Sequence, residues 1–367
     1  SANNPVNIIY MEILRRYIIS IAALMTLSGC MKDFEPETDQ ASVLCLNAMI
    51  TAGQPFELSV THTWRYSKPV ADPTVGDAAV ALYVNDEFIE NLVFQEIIET
   101  DRFTGEETTR RVFRSVYAPA SGDRVKITAR SERYGEATAE VTVPAPPTIT
   151  DVTHAPVVTS AWFMDNGDGS YAVDLSFRLD VTLGIADVDK ATNYFVFDWA
   201  SRFPDYDGTH ETGRDFSVGS LDYDAEPLFS EHISAFESIM GSDAWGFSVF
   251  SDRRFAGKSY PLKAVYNNCS FYLWSGYDPA EDYFHPTVEV SVDNISKSYY
   301  DWLIYDWQVD NGFIGSLGDI GFADAIISCS NVSTGAGVVA ARARTTRAVD
   351  LHDFIMETLN NLQNQDK

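Results

Sequence analysis

The clearest signal of fold in this sequence is the stretch YAVDLSFRLDV at residues 171–181. Every second side chain is large and apolar, and most of the intervening side chains are polar. This period of two places the apolar side chains on one face of a β-strand. That face consists of Tyr171, Val173, Leu175, Phe177, Leu179 and Val181. The stretch therefore predicts a strand with one buried face, and it favours a mostly β protein.

The same alternation occurs earlier in the chain. Residues 124–130 and 137–143 repeat it, and Gly- and Asn-containing turn signals separate further short apolar runs. Residues 41–146 are therefore predicted to form a small immunoglobulin-like β-sandwich. The proline-rich residues 144–147 form a stiff break. Beyond it, residues 148–347 are predicted to form a larger β-sandwich or barrel-like domain with a few short helices.

Helical spacing appears in three places. One helix is predicted near residues 231–240, and another begins after Ser296, a favourable N-cap residue. Residues 348–367 are predicted to form a C-terminal amphipathic helix and tail that docks on the body of the protein. Its apolar face consists of Leu351, Ile355, Leu359 and Leu362.

The N-terminal region reads as a bacterial lipoprotein signal. A pair of arginines and a short apolar run, residues 17–27, lead to the small-residue sequence LSGC that ends at Cys30. The run has about half of the ~20 residues that a membrane span needs. We therefore expect residues 1–29 to be upstream residues and signal peptide, with cleavage before Cys30 and lipidation of its thiol. Residues 30–40 then form a lipidated acidic tether.

Composition restricts the partners of such an anchored protein. Lys32 and Asp33, just after the lipid cysteine, resemble the surface-export signal of Bacteroidota lipoproteins. They favour the cell surface over the periplasmic face, which stays open as the alternative. The formal net charge is −27, which repels phosphate backbones and makes nucleic acid a poor partner. Hydrophobic residues make up 45% of the chain, enough for a sizeable core.

Three cysteines remain besides Cys30. Cys45 lies in an apolar strand pattern and is interpreted as a buried core thiol. Cys269 and Cys329 fall in the same predicted domain, and an oxidising compartment allows a disulfide between them. Their spacing alone does not establish the bond, so free thiols stay open as the alternative.

The sequence carries no catalytic motif that we recognise. The six histidines lack metal-ligand spacing on one predicted element, and neither a GxSxG elbow nor a glycine-rich phosphate loop occurs. Asp165 and Asp168 lie in an oxygen-rich segment that suits a structural calcium ion. The order of residues does not fit an EF-hand, however, and Asn-Gly and Asp-Gly are common hairpin turns. We expect no enzymatic activity and no cofactor, with the calcium loop as the alternative to a turn.

Aromatic side chains are dense between residues 266 and 307. Most of them are expected in the core, including the helical face of Tyr299 and Trp307. Trp302 and Tyr305 fall off that face, so they are the predicted contacts for a ligand or partner. Exposed aromatic rings stack on sugars or anchor protein interfaces.

Several segments together resemble one protein family. They are residues 44–50, 54–56, 193–195, 251–260, 295–300 and 330–337. These segments resemble the Bacteroidota outer-membrane lipoproteins known as domain of unknown function 4249, and the likeness spans nearly the whole mature chain. One departure follows the last glycine, where the family tends to carry Phe-Gly and this chain has Val338 and Val339. The resemblance implies two β-rich parts and an accessory role beside a TonB-dependent transporter, and it carries over no catalytic residues.

The sequence therefore predicts a lipid-anchored protein of the outer membrane, facing the cell surface. We expect it to be a non-enzymatic accessory or ligand-binding partner of a TonB-dependent β-barrel transporter. A structural or adhesive surface protein is the first alternative, and a surface hydrolase is the second.

Overall fold

Strands make up most of the structure, a computed structural model that describes residues 41–64, 70–101, 104–165, 171–186, 191–202, 214–231, 248–273, 286–311 and 329–365. Contacts divide the chain into one unit of Ser1–Ala41 with Trp64–Ala71 and another of Ser42–Thr63 with Asp72–Lys367. The elements named below belong to the second unit.

The strands of this unit are, in chain order, β1 (Leu44–Thr51), β2 (Glu57–His62), β3 (Ala79–Val84), β4 (Glu87–Asn91), β5 (Val93–Thr100), β6 (Glu107–Arg114), β7 (Arg124–Ser131), β8 (Gly135–Thr142), β9 (Thr148–Asp165), β10 (Tyr171–Ala186), β11 (Tyr194–Arg202), β12 (Arg214–Ser217), β13 (Ser220–Leu221), β14 (Val249–Ser251), β15 (Ser259–Leu273), β16 (Thr287–Ile295), β17 (Val332–Ser333) and β18 (Val339–Asp350). The helices among the described residues are α1 (Lys297–Asn311) and α2 (His352–Gln365), with 3₁₀ turns at Tyr223–Ala225, Pro227–Ser230 and Asp252–Arg254.

The stretch at residues 171–181 forms the first part of β10, as its alternation predicts. Val173, Leu175, Phe177 and Leu179 are completely buried, while the intervening residues lie on the opposite face. β10 pairs antiparallel with β9 on one side and with β15 on the other. β10 therefore lies in the interior of its sheet, and its long apolar face is buried against the core.

Three sheets form among the described residues. The largest has eight strands in the order β14-β11-β16-β18-β1-β2-β6-β5. A five-stranded sheet contains β12-β15-β10-β9, with β13 paired to β15, and another has the order β17-β8-β7-β3-β4. The predicted mostly β fold, with sandwich-like sheets and a C-terminal helix, is confirmed.

The eight-stranded sheet supplies side chains to two hydrophobic cores. Phe197 of β11 and Val290 of β16 pack in one core with β10, β15 and α2. Leu46 of β1 and Leu58 of β2 pack in the other core with β3, β7 and β8. Each half of the large sheet thus forms a sandwich with a different five-stranded sheet.

The two predicted domain ranges share this eight-stranded sheet. Residues 41–146 contribute β1, β2, β5 and β6, and residues 148–347 contribute β11, β14, β16 and most of β18. The connection between them is a parallel pairing of β1 with β18, in register from Ala48 opposite Val339 to Thr51 opposite Arg342. Local sequence patterns carry no information about a pairing between such distant segments.

β15 continues through a polar pair that resembles a turn signal. Asn267 and Asn268 interrupt its apolar pattern, but the strand runs from Ser259 to Leu273 without a break. Asn268 adopts a positive φ of 59°, and the register with β10 shifts at this point. A bulge accommodates the extra residue, so the strand bends without ending.

The two helices are fixed to the body in different ways. Ser296 precedes α1 as predicted, and its hydroxyl accepts a hydrogen bond from the backbone N–H of Ala341 at 3.1 Å. Leu351, just before α2, and the α2 residues Ile355 and Leu359 are buried in a core, so the predicted docking of the C-terminal helix is confirmed. Within the described residues, neither α1 nor α2 has the length and apolar character of a membrane-spanning helix.

Tyr266 of β15 is the basis of a first prediction. Its side chain is fully buried, and its hydroxyl has no hydrogen-bond partner among the described residues. Burial raises the pKa of this phenol well above its usual range. We expect Tyr266→Phe to leave the free energy of unfolding unchanged or to raise it by about 1 kcal/mol, because an unsatisfied polar group is removed.

Tyr260 on the same strand is the matched control. Its hydroxyl donates a 2.7 Å hydrogen bond to Oε1 of the buried Glu226. Tyr260→Phe should therefore lower the free energy of unfolding by about 1–2 kcal/mol in urea denaturation. Equal losses for the two variants would show that the Tyr266 hydroxyl is bonded.

Candidate functional site

A concave site lies between helix α1 and the outer face of the eight-stranded sheet. We call it the α1 groove; its cavity volume is about 740 Å³, within the ~300–1,000 Å³ that small-molecule sites occupy. It is lined by Asn47, Ala48, Met49, Glu57, Ser59, Arg110, Arg111, Val112, Tyr299, Trp302, Val338 and Ala340. The sheet provides the floor, and the helix provides one wall.

The alternation of the strands explains which side chains form this floor. Leu46, Leu58 and Phe113 point into the core, so their neighbours Asn47, Glu57 and Val112 lie on the opposite face. Four strands meet there, namely β1, β2, β6 and the start of β18. The floor thus combines segments that are far apart in the sequence.

Helix α1 is held over this face by contacts at its first turns. The backbone N–H of Ser296 donates to the carbonyl of Ala341 at 2.8 Å, and the hydroxyl of Ser298 lies 3.4 Å from the carbonyl of Val339. The rings of Tyr300 and Tyr194 pack with centroids 4.4 Å apart. These contacts attach the helix wall to β18 and β11.

The wall of the groove is aromatic. The rings of Tyr299 and Trp302 are parallel to within 9°, with centroids 5.9 Å apart, and both line the groove. The structure thus places Trp302, one of the two predicted contact residues, in the site. The other, Tyr305, is half-buried and does not line the groove.

Tyr299 is a groove residue that sequence reasoning assigned to the core. It is only half-buried. It precedes Trp302 by three residues, a spacing at which helical side chains meet. This three-residue spacing is the feature of the sequence from which the contact between Tyr299 and Trp302 could have been predicted.

Paired charges form the polar side of the groove. Arg110 of β6 makes ion pairs with Glu57 of β2 and Glu99 of β5. Hydrogen bonds to Glu57, and then to Glu99, raise the pKa of the Arg110 guanidinium above its usual range. Both partners are partly exposed, so these pairs orient the side chains more than they stabilise the fold.

Arg111 is paired in the same way. Its guanidinium lies 2.7 Å from a carboxylate oxygen of Glu96 and 3.0 Å from one of Asp72. The positive charges of the two arginines that line the groove are therefore neutralised by neighbouring carboxylates. The groove thus offers both hydrogen-bond donors and hydrogen-bond acceptors.

Several polar groups in the groove have no hydrogen-bond partner among the described residues. They are the hydroxyl of Ser59, the hydroxyl of Tyr299 and the indole N–H of Trp302, and all three residues are half-buried. Burial raises the pKa of the Tyr299 phenol, so it stays a neutral donor at physiological pH. A bound ligand could satisfy all three groups.

A smaller cavity of about 310 Å³ adjoins the groove. It shares Met49 and Glu57 with the larger one and adds Pro55, Phe56 and Arg114. The two cavities therefore extend the concave surface along the strands β2 and β6.

A buried charge cluster lies on the same sheet face. The side chain of Asp293 on β16 is only 4% exposed. Its carboxylate receives two hydrogen bonds from Arg344, at 2.7 and 2.8 Å, and a longer one from Arg342 at 3.4 Å. Arg342 also donates to the hydroxyl of Thr51 on β1 at 3.1 Å. The cluster joins β16, β18 and β1, and it has a structural role.

The suggested disulfide is not formed, and both thiols are free. Cys269 is completely buried in the core of β10 and β15, with its Sγ 3.8 Å from the carbonyl of Tyr266. The Sγ of Cys329 instead lies 3.5 Å from the carbonyl of Asp301 in α1. Each sulfur thus contacts a backbone carbonyl and not the other cysteine. Cys45 is half-buried on β1, where a fully buried thiol was expected.

Other predicted positions are only partly described. Asp165 is the last residue of β9 and pairs with Tyr171 of β10, and residues 166–170, on which the choice between a turn and a calcium loop depends, lie outside the described residues. Asp168 lies outside the described residues, as do Cys30 and the segments 1–40, 232–247, 274–285 and 312–328. Among the residues that are described, no group of His, Cys, Asp and Glu side chains is arranged to hold a metal ion.

Comparison with protein-family models gives no match for this chain, and comparison with curated proteins gives none either. The family likeness stays a resemblance in short segments.

Proposed function

We propose that this protein is a lipid-anchored, non-enzymatic binding protein of the outer membrane, facing the cell surface, and that the α1 groove is its ligand site. In this proposal it acts as an accessory of a TonB-dependent transporter, to which it presents a ligand. The observation that carries the proposal is the α1 groove, because it combines an aromatic wall with a floor of apolar, polar and charged side chains. The location is supported by the lipoprotein signal that ends at Cys30.

The partner and the anchor can be tested together. The full chain with a C-terminal affinity tag is recovered from native outer membranes in mild detergent, and the bound proteins are identified by mass spectrometry. We expect a TonB-dependent barrel at about one copy per lipoprotein chain. Recovery of the chain alone, under conditions that preserve known membrane complexes, would count against the accessory role.

Cys30→Ser is the control for the anchor. The thioether to diacylglycerol cannot form without the thiol, so this variant should lose metabolic labelling by fatty acid and leave the membrane fraction. An unchanged membrane fraction would contradict lipid anchoring at this residue.

One observation favours the adhesive alternative. β9 is the last strand of its sheet, and it exposes several large apolar side chains. Val157, Trp162 and Met164 on this strand are 55%, 49% and 41% exposed. Exposed apolar residues along an edge strand suit contact with another surface. Loss of adhesion on deletion of the gene, without an uptake defect, would support that function instead.

A further inference from the structure

The ligand class of the α1 groove follows from the chemistry of its lining, and the inference rests on the proposed function as a binding protein. We propose that the α1 groove binds neutral oligosaccharides, with a sugar ring packed on Trp302 and sugar hydroxyls bonded along β2 by Glu57 and Ser59.

The first argument is the shape of the aromatic wall. The nearly parallel rings of Tyr299 and Trp302 form a continuous aromatic surface. The face of an aromatic ring is electron-rich and attracts the C–H groups on the flat face of a pyranose. The equatorial hydroxyls of such a ring then point sideways, where they need hydrogen-bond partners.

The second argument is the supply of those partners. Glu57 and Ser59 are two residues apart on β2, so both point to the groove side of the sheet. The Glu57 carboxylate accepts, the hydroxyl of Ser59 both donates and accepts, and the indole N–H of Trp302 donates. Within the described residues, neither the hydroxyl of Ser59 nor the indole N–H of Trp302 makes a hydrogen bond to another side chain. A sugar hydroxyl can donate one hydrogen bond and accept another, so it matches the donors and acceptors of these three side chains.

The third argument is charge. The groove arginines Arg110 and Arg111 are already paired with carboxylates, and the whole chain carries −27. An anionic glycan would have to displace these carboxylates against long-range repulsion. A cationic ligand would find Glu57 already bonded to Arg110. A neutral polyhydroxylated ligand avoids both penalties.

The size of the site agrees with a short oligomer. A volume of about 740 Å³ suits a ligand of drug-like size, a range that includes di- and trisaccharides. The adjoining cavity beside Phe56 and Arg114 leaves room for the chain to continue.

The test is binding of defined oligosaccharides to the full lipidated chain, purified in a detergent without a sugar headgroup so that the detergent does not compete. The probes are neutral gluco-, xylo-, manno- and N-acetylglucosamine oligomers, with oligogalacturonate as the anionic comparison. Calorimetry and tryptophan fluorescence are the readouts. We expect at least one neutral series to bind with a micromolar dissociation constant, and oligogalacturonate to bind at least about tenfold more weakly.

Substitutions locate the binding. Trp302→Ala should weaken binding about twentyfold or more, and Ser59→Ala about fivefold. Tyr305→Ala on the same helix is the matched control, and it should change affinity by less than about twofold because Tyr305 does not line the groove. Circular dichroism would confirm that each variant is folded.

The outcomes separate this inference from the proposed function. No binding by any neutral series, tighter binding of oligogalacturonate, or equal losses in Trp302→Ala and Tyr305→Ala would each overturn the inference. If the protein binds no glycan but a transporter barrel is still recovered with it from membranes, the proposed accessory function stands and only the ligand class is wrong. A chain that binds a neutral glycan without any barrel would uphold the inference and remove the transporter from the proposal.

Discussion

Replacing Gly337 by alanine should lower the free energy of unfolding by about 3–5 kcal/mol. The backbone of Gly337 has a φ of 105°, a conformation that residues with a Cβ rarely adopt. A Cβ at this position would also overlap the carbonyl oxygen of Leu46. That oxygen belongs to β1, which cannot retreat because it is paired with β2 on one side and β18 on the other.

Gly257→Ala is the matched control for the backbone conformation alone. Gly257 has a φ of 70°, but a Cβ there would meet open space. Its loss should therefore be about 1 kcal/mol. Urea denaturation followed by circular dichroism compares the two variants. Equal losses would mean that the close approach of Gly337 to β1 contributes nothing.

Replacing Asp293 by alanine should have an effect of similar size, a loss of about 3–4 kcal/mol. The carboxylate is nearly completely buried and is bonded to Arg344 and Arg342. Among the described residues, its removal leaves Arg342 without this counter-charge and Arg344 with the half-exposed Asp198 as its remaining carboxylate partner. Asp293 also helps to keep the pKa of Arg344 above its usual range, through hydrogen bonds to the guanidinium.

Asp198→Ala separates burial from simple ion pairing. Asp198 also contacts Arg344, at 3.0 Å, but its side chain is 50% exposed. An exposed pair of this kind contributes less than about 1 kcal/mol. If Asp198→Ala and Asp293→Ala destabilise the protein equally, burial of Asp293 is not the cause of its importance.

Much of the local structure is predictable because it depends on neighbours in the chain. The alternation at residues 171–181 identifies β10, and the spacing of Leu351, Ile355 and Leu359 identifies α2 and its buried face. These patterns have periods of two and about 3.6 residues, which solvent exposure imposes on any half-buried strand or helix. The bulge at Asn268 escapes such reasoning, because a polar pair inside a strand resembles a turn.

The site is less predictable because it depends on which strands become neighbours. Trp302 and Tyr305 both lie outside the predicted buried face of α1. The sequence therefore gives no reason to expect one of them in the site and not the other. Only the packing of α1 on β18 places Trp302 over the groove. The floor residues Glu57 and Arg110 come from strands whose pairing is set by the whole sheet.

The segments that suggested a family resemblance turn out to meet in structural contacts. Asn193 donates two hydrogen bonds of 2.9 Å to Oδ2 of the buried Asp252. The segment at 330–337 bonds to β1, where Ala336 exchanges 2.9 Å backbone hydrogen bonds with Leu44 and Leu46. Recurrence of these contact residues would thus report on the stability of the fold.

The position of β18 also constrains the order in which the protein can fold. β18 comes last in sequence among the described strands, yet it lies in the interior of the eight-stranded sheet, between β16 and β1. The strands β1, β2, β6 and β5 are joined to β16, β11 and β14 through it. During folding, the edge of β1 that pairs with β18 therefore stays unpaired until residues 339–342 reach it. Closing such a long loop is slow, so this edge is the point at which a chaperone would protect the nascent protein from aggregation.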